Sequence, residues 1–371
     1  MPGETVKRQG PLVGLRVIEF AGIGPGPHCA MLFADMGAEV IRIEREGGNG
    51  WPNPVVDRGR KHITLDIRSE GGVEKALALI ESADVLIEGF RPGVMERLGL
   101  GPQEATARNP RLIYGRMTGW GQSGPLAERA GHDINYLALT GALAAIGTAH
   151  GTALPPLNLV GDFGGGSMFL AFGILAALWE RERSGKGQVV DAAIIDGVSS
   201  MMTFFAGLLP SGLINLERDR NLLSGAAPHY RCYTCSDGRE ISVGPLEPQF
   251  FAELMALIDA PLDVRSGCED PDKWPEQSEQ LAQLFATRTQ AQWCSLLEGR
   301  DACFAPVLTL AEAAEHPQMR DRGVYQNTDG VLQAAPAPRF SRTPGAIQEN
   351  TSNAVGWDSR ELLGYCDTPL G

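Results

Sequence analysis

Over the first 190 positions, short β-branched apolar runs alternate with longer stretches in which apolar residues recur at helical spacing. That alternation suits a parallel sheet covered by helices. The runs 15–20, 39–43, 62–65, 85–88, 112–116 and 188–194 are predicted strands, and 27–36, 72–82 and 168–183 are predicted helices. After about residue 195 the pattern changes to a helical stretch reaching 216, then a loop rich in Asn, Gly and Pro up to 228. Strands 230–234 and 240–243 are expected to pair across the turn Ser236-Asp237-Gly238-Arg239. Helices 248–258 and 276–286 and a strand 304–308 would complete a small α+β domain, and the Pro-rich stretch 334–344 reads as a linker.

Composition narrows the class. The 371 residues are enough for about two domains at roughly 150 residues each. An apolar fraction of 43% with 21% charged residues fits an ordinary folded protein. A formal charge of −13 without a basic stripe argues against a nucleic-acid partner. Apolar stretches such as 168–179 fall short of the ~20 residues that span a bilayer, and the N-terminus lacks a signal-like apolar core, so no membrane span and a cytoplasmic location are expected. The C-terminus, Asp367-Thr368-Pro369-Leu370-Gly371, carries no peroxisomal address. Seven scattered cysteines make no disulfide framework, and Cys232 and Cys235 form a CxxC without the second pair a zinc site needs, so no metal is expected.

The turn Gly22-Ile23-Gly24-Pro25-Gly26, after one predicted strand and before a helix, is a weak dinucleotide signal. Pro25 and Pro27 remove two of the N–H donors that a pyrophosphate would use. At the end of the second strand, Glu44 is followed by Arg45, which suits a phosphorylated ribose or is simply a solvated charge. More basic residues sit near the ends of neighbouring elements: Arg58, Arg60, Lys61, Arg91 and Arg97. Loops at the carboxyl ends of parallel strands are where open α/β sheets bind ligands, so a phosphate-bearing nucleotide such as CoA fits.

Two constellations hold the candidate chemistry. In Gly131-His132-Asp133-Ile134-Asn135-Tyr136 a histidine stands at the mouth of a helical segment, where Asp133 is either a cap or part of a site. In Gly161-Asp162-Phe163-Gly164-Gly165-Gly166-Ser167 a carboxylate precedes a predicted helix. The glycines there either shape a turn or offer free N–H groups to a developing enolate oxygen.

These segments, together with Gly14-Leu15-Arg16-Val17, Asp35-Met36-Gly37-Ala38-Glu39-Val40-Ile41, Ile87-Glu88-Gly89-Phe90-Arg91-Pro92-Gly93, Arg116-Met117-Thr118-Gly119-Trp120-Gly121-Gln122 and Glu247-Pro248-Gln249-Phe250, resemble the family III CoA-transferase superfamily. Within it the chain is most similar to the α-methylacyl-CoA racemases. The resemblance covers most of the chain and weakens after about residue 260.

It implies an α/β fold with a Rossmann-like large domain and a small α+β domain in an intertwined homodimer. With the pattern above, the partition becomes 1–195 for the large domain, completed by about 331–371, a helical linker 196–229, the small domain 230–318 and a return linker 319–345. It also implies an acyl-CoA thioester substrate, no separate cofactor, His132 and Asp162 as the acid/base pair, and Glu247 holding the histidine. CoA contacts would map onto Arg45, Leu65, Asp66, Ile67, Arg68, Gly89, Phe90, Arg91, Arg97, Gly131, Asp133, Ile134, Asn135 and Tyr136. Interconversion of (R)- and (S)-2-methylacyl-CoA needs a base on one face of the α-carbon, an acid on the other and a stabilised enolate between. The competing expectation is a CoA-transferase using the Asp162 carboxylate as nucleophile, and a third is a non-catalytic CoA-binding protein.

Overall fold

The computed structural model describes residues 8–48, 52–148, 151–328 and 330–348. The segment 349–371, expected to help complete the large domain, and the C-terminal pentapeptide lie outside these residues. The chain divides into two compact units: Met1–Thr140, Leu157–Met201 and Gly323–Gly371 form one, and Gly141–Pro156 with Met202–Arg322 the other.

The first unit is built on a six-stranded sheet. Its strands are β1 (Arg16–Phe20), β2 (Glu39–Glu44), β3 (Arg60–Thr64), β4 (Val85–Glu88), β5 (Ile113–Thr118) and β6 (Gln188–Ala193), in spatial order β3-β2-β1-β4-β5-β6. Every pairing is parallel, for example Ile18 opposite Ile41 and Leu86. This is the strand order of doubly wound folds, whose ligand crevice opens where β1 and β4 meet and their connections diverge. The central strands are apolar throughout because helices cover both faces: Val17, Ile18, Val40, Val85, Leu86 and Ile113 are fully buried.

Local chemistry explains the helix boundaries. Pro25, at the first position of the helix Pro25–Asp35, needs no N–H there, so the helix starts two residues before the expected 27. Ser69 caps the helix Glu70–Glu81 by accepting from Gly72 N–H, which carries the helix past the weak formers Gly71 and Gly72.

One expectation is overturned. The helix Phe169–Ser184 lies where 168–183 was expected, but the glycine run before it is helical and is not a turn. A π-helix, Leu159–Met168, runs directly into the helix Phe169–Ser184. The continuous stretch Leu159–Ser184, and a second, Ile194–Ser211, are long and apolar enough to cross a membrane, which corrects the expectation that none is. The first carries Asp162 and buries Leu170, Ile174 and Ala177 in its own unit, and Ile174 and Leu170 lie against Gly115 of β5. It therefore behaves as the core helix of an α/β layer.

The second unit holds an antiparallel sheet of β7 (Arg231–Thr234), β8 (Glu240–Val243) and β9 (Phe304–Pro306), with Tyr233 opposite Ile241 as the expected hairpin requires. Helices Pro248–Leu257, Trp274–Phe285 and Gln290–Leu297 enclose a core of Ile241, Leu254, Phe285 and Trp293. The helix Gln290–Leu297 was not expected, although Thr289 and Gln292 form a readable capping box. Back in the first unit, β10 (Tyr325–Thr328) and β11 (Val331–Ala334) form a hairpin in the segment read as a return linker. It is tied down by buried Arg58, which donates to Gln333 Oε1 at 2.7 Å.

Candidate active site

The carboxyl ends of β1 and β4 place the glycine turn beside the Gly89-Phe90-Arg91 loop. Gly24 caps the helix Pro25–Asp35 at φ 71°, a left-handed conformation that favours glycine. Lack of a side chain matters there a second time, because a Cβ would stand 3.3 Å from Asp162 Oδ2. Asp162 thus lies over the turn that the sequence presents as a dinucleotide loop.

The π-helix sets this position. Gly165 approaches so closely that a Cβ would lie 2.6 Å from Val198 Cγ2, and one on Gly166 would lie 3.0 Å from Pro25 Cβ. The glycine run therefore serves close packing inside a helix. The expectation that it forms a helix N-terminus with free N–H donors is incorrect.

Asp162 is tied to the other constellation through Asp133, whose Oδ1 accepts from Asp162 N–H at 2.8 Å. Asn158, four residues earlier, donates to Asp162 Oδ2 at 3.2 Å. Burial pushes the Asp162 carboxyl above its ordinary value, Asn158 opposes this, the Asp133 charge reinforces it, and the field of His132 opposes it. Asp133 is also raised, by burial, against the N–H groups of Asp162 and Gly161.

His132 immediately precedes the helix Asp133–Leu139 and is exposed in the single chain. Its N–H donates to Asn135 Oδ1 at 3.0 Å, and its carbonyl accepts from Asn135 N–H at 2.8 Å. Tyr136 Oη donates to Gly131 O at 2.5 Å, and the Tyr136 ring meets Trp120 edge-on at 4.7 Å. Burial raises the Tyr136 hydroxyl, with the Asp162 charge adding to the effect and Arg91 opposing it, which places Arg91 within electrostatic reach of this cluster. Trp120 also walls an apolar recess of about 300 Å³ with Leu126, Leu139 and Ile195.

The remaining sequence candidates separate by role. Phe90 N–H donates to Glu88 Oε2 at 2.7 Å while its ring packs on Phe20, so the loop carrying Gly89 and exposed Arg91 is held from behind. Glu88 also accepts from Arg116 Nε at 2.9 Å, yet burial lifts its carboxyl to about 7. Leu65 and Ile67 turn into the core, so the 65–68 segment can offer a ligand only backbone at those two positions. Asp66 Oδ1 accepts from Arg68 N–H at 3.0 Å. Arg45 is exposed beside a recess of about 280 Å³ lined by Arg42, Glu44, Gly48, Asp57 and His62. Arg97 closes a short helix, and Ile134 and Asn135 are exposed on the His132 helix. Glu247 caps the helix Pro248–Leu257 of the second unit.

Sequence reasoning missed Asn158, whose signal was its i, i+4 spacing from Asp162, and the contact of Gly24 with Asp162, for which no local signal exists.

The family model described as CoA-transferase family III matches residues 12–359. Alpha-methylacyl-CoA racemase of Mus musculus is 43% identical over 354 residues, covering 95% of this chain and 92% of its own length. The Homo sapiens protein of the same name is 39% identical over 353 residues, with the same coverages of 95% and 92%. The crystal structure of a CAIB/BAIF family protein from Brucella suis superimposes with a TM-score of 0.76 at 27% identity, covering 92% of this chain and 96% of that one. The parallel sheet, the strand order and these matches agree, and the chain belongs to the CoA-transferase family III.

Proposed function

We propose that this protein is a racemase interconverting (R)- and (S)-2-methylacyl-CoA thioesters, working as an intertwined homodimer in the cytoplasm. The observation that carries the reading is the junction at Asp133, which joins the His132 helix to the backbone of Asp162. That link, with the field of His132 acting on Asp162, supports a site in which both groups serve one α-carbon. A transferase acting through a carboxylate nucleophile has no use for the second.

In this mechanism Asp162 removes the α-proton from one face while His132 delivers a proton to the other, and the roles exchange in the reverse direction. Burial raises the Asp162 carboxyl above its ordinary value, the direction that makes a carboxylate a stronger base and favours its acid form when the roles reverse. The N–H groups of Asp133 and Ile134, the first two residues of the helix Asp133–Leu139, precede the helical bonds that Asn135 and Tyr136 make to the His132 carbonyl, and can serve the enolate oxygen. Arg45, Arg91 and Arg97 supply positive charge for the CoA phosphates, and Leu65, Asp66, Ile67, Arg68, Gly89, Phe90, Gly131, Ile134, Asn135 and Tyr136 shape its path. Glu247 orients the His132 imidazole in the assembled dimer. Dimerisation is supported by the helix Phe169–Ser184, whose Phe172 and Trp179 are 72% and 70% exposed in the single chain. Proton transfer alone requires no cofactor beyond the CoA of the substrate.

A single enantiomer of 2-methylacyl-CoA, incubated with the enzyme and no added acid, should become the racemate. If configuration is unchanged until a free carboxylic acid is supplied, and CoA then passes to that acid, the protein is a transferase.

A further inference from the structure

His28 lies outside every role assigned so far, yet it joins the two elements that place Asp162. Its Nδ1 and the fully buried Ser167 Oγ share a hydrogen bond at 2.7 Å, and its ring lies 4.7 Å from that of Phe163, the residue after Asp162. One imidazole thus grips the π-helix at both ends of the Phe163–Ser167 turn. The grip is anchored from below, because Arg60 donates to the carbonyl of Pro27 while pairing with buried Glu19 at 3.0 Å. Burial, then the guanidiniums of Arg60 and Arg58, pull the imidazole down to about 4, so it is uncharged at neutral pH. π-helical turns are rare and frequently occur at functional sites.

We propose that His28 is a positioning residue for Asp162: it ties the π-helix to the helix Pro25–Asp35 and so fixes the carboxyl over Gly24. This rests on the racemase reading, in which Asp162 and His132 serve opposite faces of the α-carbon. The consequence is asymmetric. Loosening His28 should impair proton transfer at the Asp162 face and spare the His132 face.

The test follows α-deuterium uptake in deuterated water, starting from each pure enantiomer of a 2-methylacyl-CoA. The enantiomer that loses exchange in Asp162→Asn defines the Asp162 face. His28→Leu should slow exchange of that enantiomer about tenfold, the scale expected of a small misplacement of a reacting group, and change exchange with retention at the other less than about twofold. CoA affinity should be unaltered. Ser167→Ala, which deletes one oxygen and keeps the fold should His28→Leu not fold, should give a smaller loss at the same face. His28→Asn, with a polar atom near the place of Nδ1, should restore part of the rate. Equal losses from both enantiomers, or no loss in either His28→Leu or Ser167→Ala, would overturn the proposal. Wild-type protein that exchanges neither enantiomer overturns the racemase reading and takes this proposal with it, a result distinct from any the variants give.

Discussion

Asp162 and His132, the two groups proposed to move the α-proton, are built differently. Asp162 is half-buried in a π-helix, accepts from Asn158, and has its backbone tied to Asp133, all within one unit of one chain. His132 is exposed, and the bonds that fix it run through its backbone to Asn135. On the proposed reading, the difference teaches that a single chain finishes one half of the acid/base pair and leaves the other to be completed on assembly. Glu247 belongs to the second unit, and in the proposed dimer it finishes the histidine half.

The strongest way to break this contrast is subunit complementation. His132→Ala and Glu247→Ala homodimers should each be impaired, the former by about a hundredfold or more, the usual worth of a positioned acid or base. If Glu247 acts across the dimer, a hybrid of the two, made by co-expression with two affinity tags, has one intact site. Its inversion rate should return to about half that of wild type, because one of the two sites of a C2 dimer is restored. Hybrid activity no higher than that of the parents would place Glu247 and His132 in the same chain's site.

Gly24→Ala sharpens the Asp162 side. A side chain at φ 71° is strained by about 1–2 kcal/mol, and the added methyl would crowd the carboxyl. Thermal unfolding should show the stability loss, and inversion should fall about tenfold while CoA affinity stays the same. Arg45→Ala should do the opposite, weakening CoA about tenfold, as loss of a charged hydrogen bond does, with the maximal rate kept. An unchanged dissociation constant for CoA removes Arg45 from the site.

Asn158→Ala should have the smallest effect, roughly threefold on rate. The Asn158 donor favours the ionised carboxylate, so its loss raises Asp162 further, and the acidic limb of the rate profile should move to higher pH. The sign for stability follows from the same shift. A carboxyl raised in the folded state holds its proton longer than in the unfolded chain, so stability is lost as pH rises through the folded value. That loss should extend to higher pH in the variant, as melting curves across the acidic range would show.

Much of the sheet was legible in the sequence because buried parallel strands are written as short apolar runs. Val85–Glu88 has the bounds expected from the sequence, and the other five strands of the sheet differ by one or two residues at one or both ends. The π-helix was not legible, since Gly164, Gly165 and Gly166 look like a turn until Val198 and Pro25 are seen against them. The hairpin of β10 and β11 was missed for a related reason: Tyr325-Gln326-Asn327-Thr328 lacks apolar alternation and is largely exposed. Within the candidate site, the chemistry-bearing residues stood out by type and local context. Asn158, Gly24 and His28 did not, because their importance comes from contacts across the fold.

The most direct test of the central claim compares Asp162→Asn with His132→Ala, each given both enantiomers of a 2-methylacyl-CoA separately in deuterated water. The account predicts mirror-image results, with each variant losing α-deuterium uptake from the enantiomer whose proton faces the missing group and retaining it from the other. Loss of uptake from both enantiomers in one variant and from neither in the other would mean that a single group handles both faces, which contradicts the account.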